Sequence, residues 1–358
     1  MRIAMFGHKQ IPSRSGGVEI VVEALSTRMA AMGHSVTCYN RGGHAGYHQG
    51  VRIRPVPALN RKGLAAVSSS FFASLCAALG PYDVVHIHAE GPALMCWLPR
   101  LFGKRVIVTV HGLDWQREKW KGSLAAKYIH LGEKMAARCA HEIIVLSRNT
   151  REYFRKVYHR ETHWIPNGIS PPELSESLPA PFGLHPREYI LFLGRLVPEK
   201  GIHLLIQAFR EVSTHKKLVI AGHASDTDAY RRELEALAAG DDRIHFTGFV
   251  EGEILESLYR NTYLYVLPSF LEGMPISLLE AMSYGNCCLV SDIPECAEVV
   301  EDHGITFRAG DVSDLRRQLQ RLCDEPKLVD RYRESASDFI CGKYSWETTV
   351  EQTLELYR

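Results

Sequence analysis

Apolar positions along the chain form short runs that alternate with amphipathic stretches. Arg2–Phe6 is a short apolar run that predicts a strand, and a loop rich in Gly, Pro and Ser follows at residues 7–17. Val18–Met32 carries apolar residues at helical spacing, which predicts a helix that ends with Gly33 as its cap. Further buried strands are predicted at Ser35–Tyr39, Asp83–His88, Arg105–Val110 and Glu142–Leu146. Strands that alternate with helices indicate a parallel sheet with helices on both faces.

The alternation stops at residues 171–187, where five prolines in seventeen residues predict a linker. It resumes beyond the linker, and helical patterns dominate after Ser313 up to an amphipathic last stretch, Trp346–Tyr357. The strand candidates of this half are Tyr189–Leu196, Lys217–Ala221, Arg243–Val250, Tyr263–Pro268 and Cys287–Ser291. The sequence therefore predicts an α/β fold with two Rossmann-like domains, residues 1–170 and 188–341.

Length and composition agree with two ordinary globular domains. The chain has 358 residues, of which 46% are hydrophobic and 23% charged. The first ten residues are too polar for a secretory signal, and no apolar run reaches the ~18 residues of a membrane span. Nine cysteines without a CxxC pair favour buried thiols in a reducing compartment over a disulfide framework or a zinc site. We therefore expect a cytoplasmic protein.

Charge is divided unevenly along the chain although the net charge is only +1. Residues 1–170 hold 23 Lys and Arg against 10 Asp and Glu, whereas the remainder holds 19 against 31. A first half at +13 is suited to an anionic membrane or an anionic acceptor. The alternative is that the opposite charges of the halves serve only solubility or mutual attraction of the domains.

Candidate chemistry in the first half lies where strands end, since ligands of parallel α/β sheets bind at the carboxyl ends of strands. Gly16 and Gly17 precede the first helix, and their small size lets backbone N–H groups approach a ligand. They do not form the GxGxxG fingerprint, which disfavours a nicotinamide enzyme. His111 follows a strand and can hydrogen-bond a sugar hydroxyl or stabilise developing charge. His86 and His88 share a strand face without a third metal ligand nearby, so structural roles are expected for both.

The second half carries charged residues at two strand ends. Arg195 and Lys200 follow the strand predicted at Tyr189–Leu196, and two cations there suit a diphosphate. Glu272 precedes a helix predicted to start near Pro275, and Glu280 lies on that helix among apolar residues. The free N–H groups of the first turn can bind phosphate, and a carboxylate such as Glu280 can bind the vicinal diol of a ribose. The donor-binding candidates at this helix start are Gly273, Met274, Pro275 and Ile276.

Taken together, these residues resemble glycosyltransferase family 4, the retaining group 1 enzymes, over essentially the whole chain. The resemblance rests on Gly16-Gly17-x-Glu19, His111, Pro166-Asn167-Gly168, Arg195 with Lys200, and Glu272-x7-Glu280. It implies the GT-B architecture, in which two facing Rossmann-like domains bind their substrates in the cleft between them. It also implies that the last helix, with residues 342–358, crosses back to the first domain.

The resemblance further implies a division of roles. Arg195 and Lys200 hold the donor diphosphate, and Glu280 holds the ribose. Glu272 contacts the hydroxyls of the transferred sugar. In the first domain, Gly16 and Gly17 give backbone contacts to phosphate or sugar, and His111 reaches the sugar near the reacting carbon.

The donor implied by the resemblance is a nucleotide-diphosphate sugar, and the acceptor is a glycan or a lipid-linked glycan. No DxD-like acidic pair with the features of a metal site follows a strand, so no metal or other cofactor is expected. No nucleic acid partner is expected either. Without a placed carboxylate nucleophile, retention would come from front-face attack within an ion pair. The nucleotide base is expected near residues 248–250.

A narrower resemblance points to a bacterial branch that builds surface polysaccharides and includes rhamnosyltransferases. It rests on Gly16–Glu19 and on His111–Arg117. Two other functions stay open: a sugar-nucleotide 2-epimerase of the same fold, and a non-catalytic partner subunit. The epimerase would need acid and base groups around the sugar, and the sequence does not identify them. A non-catalytic subunit would not need the intact donor residues.

The first domain is also expected to contact an anionic membrane at its periphery. Basic residues cluster between Arg100 and Arg138, with Trp115 and Trp120 among them, and the apolar helix Leu64–Leu79 follows Arg61 and Lys62. The basic residues of the cluster are Arg100, Lys104, Arg105, Arg117, Lys119, Lys121, Lys127, Lys134 and Arg138.

Overall fold

The computed structural model describes residues 1–59, 61, 64–117, 122–176, 181–224 and 228–358. The chain divides into two compact units. Unit 1 is Met1–Gly168 with Ser345–Arg358, and unit 2 is Ile169–Tyr344. The boundaries therefore fall two residues before the expected position 170 and three residues after the expected position 342.

Unit 1 contains a sheet whose strands run in the order β3-β4-β2-β1-β5-β6-β7-β8. Neighbouring strands are parallel except for β3, which pairs antiparallel with β4 at the edge. The strands are β1 Arg2–Phe6, β2 Ser35–Arg41, β3 Gly46–His48, β4 Val51–Val56, β5 Val84–His88, β6 Arg105–Val110, β7 Glu142–Val145 and β8 His163–Trp164. The strands β3, β4 and β8 were not expected from the sequence, so the sheet is wider and less uniformly parallel than predicted.

Helices of unit 1 pack around this sheet. They are α1 Gly17–Ala31, α2 Leu64–Leu79, α3 Glu90–Ala93, α4 Trp97–Leu101, α5 Leu124–Cys139, α6 Arg148–Tyr158 and, from the end of the chain, α14 Trp346–Glu355. Ser123 and Ser147 cap α5 and α6, because each hydroxyl accepts a hydrogen bond from an N–H group of the first turn. The last helix belongs to unit 1 because it packs on α1 and because the Tyr357 hydroxyl lies 2.6 Å from His86 Nδ1.

Unit 2 contains a parallel sheet with the strand order β11-β10-β9-β12-β13-β14. The strands are β9 Tyr189–Leu193, β10 Lys217–Ala221, β11 Ile244–Gly248, β12 Leu264–Leu267, β13 Cys288–Ser291 and β14 Ile305–Phe307. The helices are α7 Ile202–Arg210, α8 Ala229–Ala238, α9 Gly252–Asn261, α10 Ile276–Ser283, α11 Pro294–Val300, α12 Val312–Asp324 and α13 Pro326–Lys343. The predicted fold class, two α/β domains with parallel sheets, is confirmed.

The proline-rich segment 171–187 differs from the expected free linker. Its described parts, 171–176 and 181–187, belong to unit 2. Ser175 donates hydrogen bonds from its backbone N–H and its hydroxyl to the Glu256 carboxylate, both at 2.8 Å. Leu184 is buried, and the Arg187 N–H donates to the Asn261 carbonyl oxygen. Proline removes backbone donors without preventing such packing, so the composition of a linker does not show whether it is anchored to a domain.

Candidate functional site

Strand order places one topological switch point in each unit. In unit 2 the chain proceeds from β9 outward to β10 on one side and later to β12 on the other. The loops after β9 and β12 therefore diverge at the carboxyl edge of the sheet, where doubly wound folds bind ligands. In unit 1 the same arrangement occurs between β1 and β5. The candidate residues of each unit follow these strands.

Glycine allows the two loops of unit 2 to touch. Gly201 has a φ of +66°, and a Cβ there would lie 2.1 Å from the Pro268 carbonyl oxygen. Beside this contact the Phe270 N–H donates to the Glu199 carbonyl oxygen at 2.8 Å. The loop at 194–201 thus lies directly on the end of β12 and brings its charged side chains to the loop at 268–275.

Lys200 and Glu272 meet across these loops. Lys200 Nζ lies 2.5 Å from Glu272 Oε1, and the two side chains are only 13% and 9% exposed. The Ser269 hydroxyl donates to the same Oε1 at 2.6 Å, which fixes the carboxylate from its own loop. Arg195 lies half-buried in the loop of Lys200. The sequence identified both charged partners but not their contact, nor the part of Ser269.

Glu280 lies on α10, whose N-cap is Pro275. The Tyr259 hydroxyl donates to Glu280 Oε2 at 3.1 Å. Burial, and next the negative charge of Glu280, raise the pKa of Tyr259 well above its usual range, so this hydroxyl stays a donor. The first N–H groups of α10 have no partner within the helix, as at every helix start, and they follow Gly273 and Met274. No sequence pattern indicates Tyr259, because it lies on α9, twenty-one residues before its partner.

The region expected to hold the base carries an exposed aromatic side chain. Phe249, which follows β11, is 46% exposed and contacts His223 edge-on with ring centroids 5.3 Å apart. Gly222 has a φ of +143°, and a Cβ there would lie 1.8 Å from the Gly194 carbonyl oxygen. The end of β10 therefore lies close against the loop that carries Arg195.

In unit 1 the strand ends carry a group of stacked histidines. His88 Nδ1 and His111 Nε2 share a hydrogen bond of 3.1 Å, and His86 stacks on His88 with ring centroids 4.2 Å apart. Burial lowers the pKa of His111 to about 4 and that of His86 to about 3. Both rings are therefore neutral at neutral pH. His86 has the expected structural role, since it bonds Thr109 and Tyr357, whereas His88 is the direct neighbour of His111.

The glycine pair lies beside an acidic side chain. A Cβ on Gly16 would lie 2.3 Å from Glu19 Oε2, so a larger residue there would collide with the carboxylate. Glu19 is buried, accepts a hydrogen bond from the Lys9 N–H at 2.9 Å, and places its negative charge near His111. The structure thus brings Gly16, Gly17 and His111 to one edge of unit 1. A carboxylate at this edge disfavours direct phosphate binding there and suits a neutral sugar better.

The basic segment of unit 1 is less available than its sequence suggests. The Arg105 side chain donates to the Leu356 carbonyl oxygen at 2.6 Å, and Arg117 pairs with Asp114 at 2.6 Å. The Trp115 indole is half-buried and donates a hydrogen bond to Glu133 at 2.9 Å. Four other candidates, Lys62, Lys119, Trp120 and Lys121, lie outside the described residues. The described part of the chain contains no helix that is both long and apolar enough to cross a membrane.

Within the parts of the chain that the structure describes, no group of three or more His, Cys, Asp or Glu side chains is arranged to hold a metal ion. The expected independence from metal stays a prediction.

Comparisons with known proteins match both units. The family model for "Glycosyl transferases group 1" matches residues 176–339, and that for "Glycosyltransferase Family 4" matches residues 15–172. Alpha-maltose-1-phosphate synthase of Mycobacterium tuberculosis is 27% identical over 100% of this chain and 99% of its own length. O-antigen chain mannosyltransferase B of Escherichia coli is 31% identical over 48% of this chain and 45% of its own. The structure of HepE from Anabaena in complex with UDP-glucose superposes with a TM-score of 0.82 at 17% identity, covering 99% of this chain and 98% of that one.

Proposed function

The chain belongs to the group 1 glycosyltransferases of family 4, and we propose that it transfers a sugar with retention from a nucleotide-diphosphate sugar to a glycan or lipid-linked acceptor. The observation that carries the proposal is the largely buried Lys200–Glu272 pair at the switch point of unit 2, beside the start of α10. A cation, a helix N-terminus and a carboxylate at one strand edge match the diphosphate and hydroxyl groups of such a donor.

The donor would be bound by unit 2. Lys200 and Arg195 neutralise the diphosphate, whose charge grows as the glycosidic bond to the leaving group breaks. Glu272 accepts hydrogen bonds from sugar hydroxyls, and its contact with Ser269 holds it in place for that role. Glu280, held by Tyr259, accepts from the ribose hydroxyls. Phe249 offers a face on which the base can stack.

Unit 1 would supply the acceptor side and part of the sugar contact. His111 is neutral, so it can donate a hydrogen bond to a sugar hydroxyl without bringing a positive charge. Gly17 is exposed and Gly16 half-buried, and their backbone would contact the sugar. The ring of His88 fixes the orientation of His111 through their hydrogen bond.

The reaction would need no metal, because Arg195, Lys200 and the start of α10 carry the stabilisation of the leaving diphosphate. Front-face attack within an ion pair would then give retention, with the departing phosphate accepting the proton of the acceptor hydroxyl. Activity is expected to survive EDTA. Complete loss on chelation, restored by magnesium or manganese, would contradict this part of the proposal.

A product analysis distinguishes transfer from the sugar-nucleotide 2-epimerase. Sugar nucleotides of several bases are incubated with the protein and a bacterial lipid extract, and the products are followed by mass spectrometry. Transfer releases nucleoside diphosphate and forms a glycoside, whereas epimerisation interconverts sugar nucleotides without release. A protein that binds the donor but produces neither product would fit the partner-subunit alternative.

The biosynthesis of a bacterial surface polysaccharide is the setting that we propose for this transfer, on the cytoplasmic side of the membrane. The similarity to an O-antigen mannosyltransferase over about half of the chain supports it. A lipid-linked acceptor in such a pathway lies at a membrane surface, which raises the question of how unit 1 reaches it.

One exposed face of unit 1 is suited to an anionic lipid surface. On α5, leucines and cations alternate at a spacing that places them on a single stripe, and Leu124 is 82% exposed. The stripe is Leu124, Lys127, Leu131, Lys134 and Arg138. Exposed leucines among cations on one helical face are typical of helices that lie in the headgroup layer.

Two further helices extend this face. α4 packs against both α2 and α5 and exposes Trp97 and Leu101, the latter at 74%. α2 carries no charged residue and exposes Phe71 and Phe72. Each cation near an anionic surface contributes about 1 kcal/mol, so the cations of α5 with the apolar side chains would give reversible binding. The occupant of the face is therefore proposed to be an anionic bilayer.

Sedimentation with vesicles tests this docking. The protein is expected to pellet with vesicles that contain anionic lipid at low salt and to be released at high salt. Lys127→Glu combined with Lys134→Glu should abolish pelleting, whereas Arg231→Glu with Arg232→Glu on α8 of unit 2 is the matched control. Protein that stays in the supernatant at low salt with anionic lipid would exclude the membrane and favour a soluble acceptor.

A further inference from the structure

Two acidic side chains are completely buried beside the strand ends of unit 1. Glu90 begins α3 directly after β5, and Glu133 lies on α5; both have 0% exposure. The helices touch here, since a Cβ on Gly132 would lie 2.0 Å from the Glu90 carbonyl oxygen. Neither residue has a place in the donor site, and two buried carboxylates would repel each other strongly.

Glu133 is surrounded by hydrogen-bond donors. Its Oε2 accepts from the Trp115 indole at 2.9 Å, and its Oε1 accepts from the hydroxyls of Tyr153, at 2.8 Å, and Tyr158. His130 Nδ1 lies 3.5 Å from Oε1. Both Glu133 oxygens therefore accept hydrogen bonds, and a proton on either oxygen would face one of these donors.

Glu90 has the opposite environment. Its Oε2 accepts the Asp114 N–H at 2.7 Å, but its Oε1 has no donor among the described residues. Glu133 is its hydrogen-bonding neighbour. Burial, then the contact with Glu133 and the charge of Asp114, raise the pKa of Glu90 well above its ordinary value. A proton on Glu90 Oε1 would let this oxygen donate a hydrogen bond, and the neighbouring Glu133 carboxylate would accept it.

We propose that Glu90 is protonated, donates through Oε1 to ionised Glu133, and is a positioning residue for the loop that follows His111. The proton stays within the pair, so no bond other than this hydrogen bond is formed or broken. The loop is held at two successive residues, Asp114 by Glu90 and Trp115 by Glu133. Among the charged groups near His111, the Asp114 carboxylate has the largest electrostatic effect on the pKa of that ring.

The charged and titratable groups around the pair come from each element packed against it. They are Asp114 and Arg117 of the loop, Tyr128 and His130 of α5, and Tyr153 and Tyr158 of α6. Arg117 is paired with Asp114, and no cation within the described residues forms an ion pair with Glu90. If both carboxyl groups were ionised, no cation among the described residues would therefore form an ion pair with Glu90 to offset the second negative charge.

Paired amide substitutions test where the proton lies. Glu90→Gln keeps an acceptor for the Asp114 N–H and supplies an N–H donor to Glu133, so it should preserve stability at neutral pH. Glu133→Gln turns an N–H toward either the indole N–H or the tyrosine hydroxyls, so it should lower Tm by several degrees, about 4 °C or more. Equal losses in both variants, or a loss only for Glu90→Gln, would overturn the assignment.

Dependence on pH gives a second readout, with Glu161→Gln at an exposed carboxylate of unit 1 as the control. Because the folded state raises the pKa of Glu90, wild-type stability decreases as pH rises from the ordinary glutamate pKa to the folded-state pKa. Glu90→Gln lacks this loss. The difference between its Tm and that of wild type should therefore increase by about 3 °C or more between about pH 5 and about pH 9. A difference that does not change with pH, as expected for Glu161→Gln, contradicts a protonated Glu90.

Infrared spectroscopy detects the proton directly and does not depend on the proposed function. The difference spectrum of wild type minus Glu90→Gln at neutral pH should contain the C=O band of a protonated carboxyl group. A spectrum that contains only carboxylate bands would refute the proton assignment.

The positioning role of Glu90 rests on the proposed transfer and has its own readout. Glu90→Ala should reduce turnover while nucleoside diphosphate binding to unit 2 is unchanged; unchanged turnover would remove the positioning role and leave the proton assignment.

Discussion

At the scale of single residues, the donor site consists of charged groups that hold one another in position. Glu272 Oε1 receives both the Lys200 ammonium and the Ser269 hydroxyl, and Glu280 receives the Tyr259 hydroxyl. Such prior placement matters because a group that is already oriented loses little entropy when a ligand or a transition state forms. Each of these residues therefore has a separable effect on binding or turnover.

Removal of either cation should affect turnover strongly. Lys200→Ala and Arg195→Ala are each expected to reduce turnover by about a hundredfold or more, because each loses a group that stabilises the leaving diphosphate. Steady-state release of nucleoside diphosphate measures the effect, and circular dichroism checks that the fold is intact. Near-normal turnover in both folded variants would rule out the assigned role.

Substitutions of the two carboxylates, Glu280 and Glu272, should affect the binding of the two ligands differently. Glu280→Ala is expected to weaken binding of both nucleoside diphosphate and sugar nucleotide, because both contain the ribose. Glu272→Ala should mainly impair the sugar nucleotide, since only that ligand contains the sugar. Calorimetry with the two ligands measures this, and Tyr259→Phe should resemble a mild form of Glu280→Ala. Equal losses for both ligands in both carboxylate variants are incompatible with the division.

At the scale of elements, close backbone approaches hold the strand ends together. Gly201→Ala places a side chain at a φ of +66° and against the Pro268 carbonyl oxygen, 2.1 Å away. We expect a loss of about 2 kcal/mol or more in the free energy of unfolding, from strain and collision together. Gly240→Ala is the matched control, since its φ is +83° and nothing lies within 4 Å of the added Cβ. Thermal or denaturant unfolding that gives equal losses for the two variants would contradict the account.

The elements that the sequence predicts are those with continuous apolar runs. Strands such as β1, β6 and β10 coincide with their predicted ranges, because a strand buried on both faces is apolar throughout. The strand β4, next to the edge strand β3, alternates buried Val51 and Ile53 with exposed Arg52 and Arg54, so no apolar run marks it. β9 ends at Leu193 instead of Leu196, because the chain leaves the sheet at Gly194 to form the loop of Arg195.

The candidate site, like the fold, could be predicted from the sequence only in part. Residues such as Lys200 and Glu272 were identifiable because their charge follows a strand end, which is a local property of the sequence. The partners that hold the site were not, because Tyr259, His88 and Glu133 reach their contacts only through the three-dimensional packing of distant elements. Each of them looks like an ordinary helix or strand residue in the sequence.

At the scale of the whole molecule, buried neutral histidines make unit 1 sensitive to acid. Burial lowers the pKa of His8 to about 4, of His111 to about 4 and of His86 to about 3. Between these values and the ordinary histidine pKa of about 6.5, the unfolded chain binds more protons than the folded one. Stability should therefore be full above about pH 6.5 and should decrease as pH falls toward about 4.

Thermal unfolding across this range checks the sign and the source of the effect. Each unit of pKa shift corresponds to about 1.4 kcal/mol, so a decrease of several degrees in Tm is expected. His86→Gln retains a partner for Thr109 or Tyr357 and should reduce the acid-dependent part of the decrease. A Tm that stays constant from about pH 7 to about pH 4, or the same slope in the variant, would show that these histidines are not buried neutral groups.

We propose that unit 2 binds a nucleotide-diphosphate sugar through Arg195, Lys200 and Glu280 without a metal. Calorimetric titration of the full chain with the diphosphates of uridine, adenosine, guanosine and thymidine, in the presence of EDTA, measures this binding. At least one of them should bind, and Lys200→Ala should weaken its affinity by about tenfold or more, whereas Lys327→Ala on the exposed face of α13 should not. Binding that requires added metal, binding unaffected by Lys200→Ala, or no binding of any of these diphosphates would contradict it.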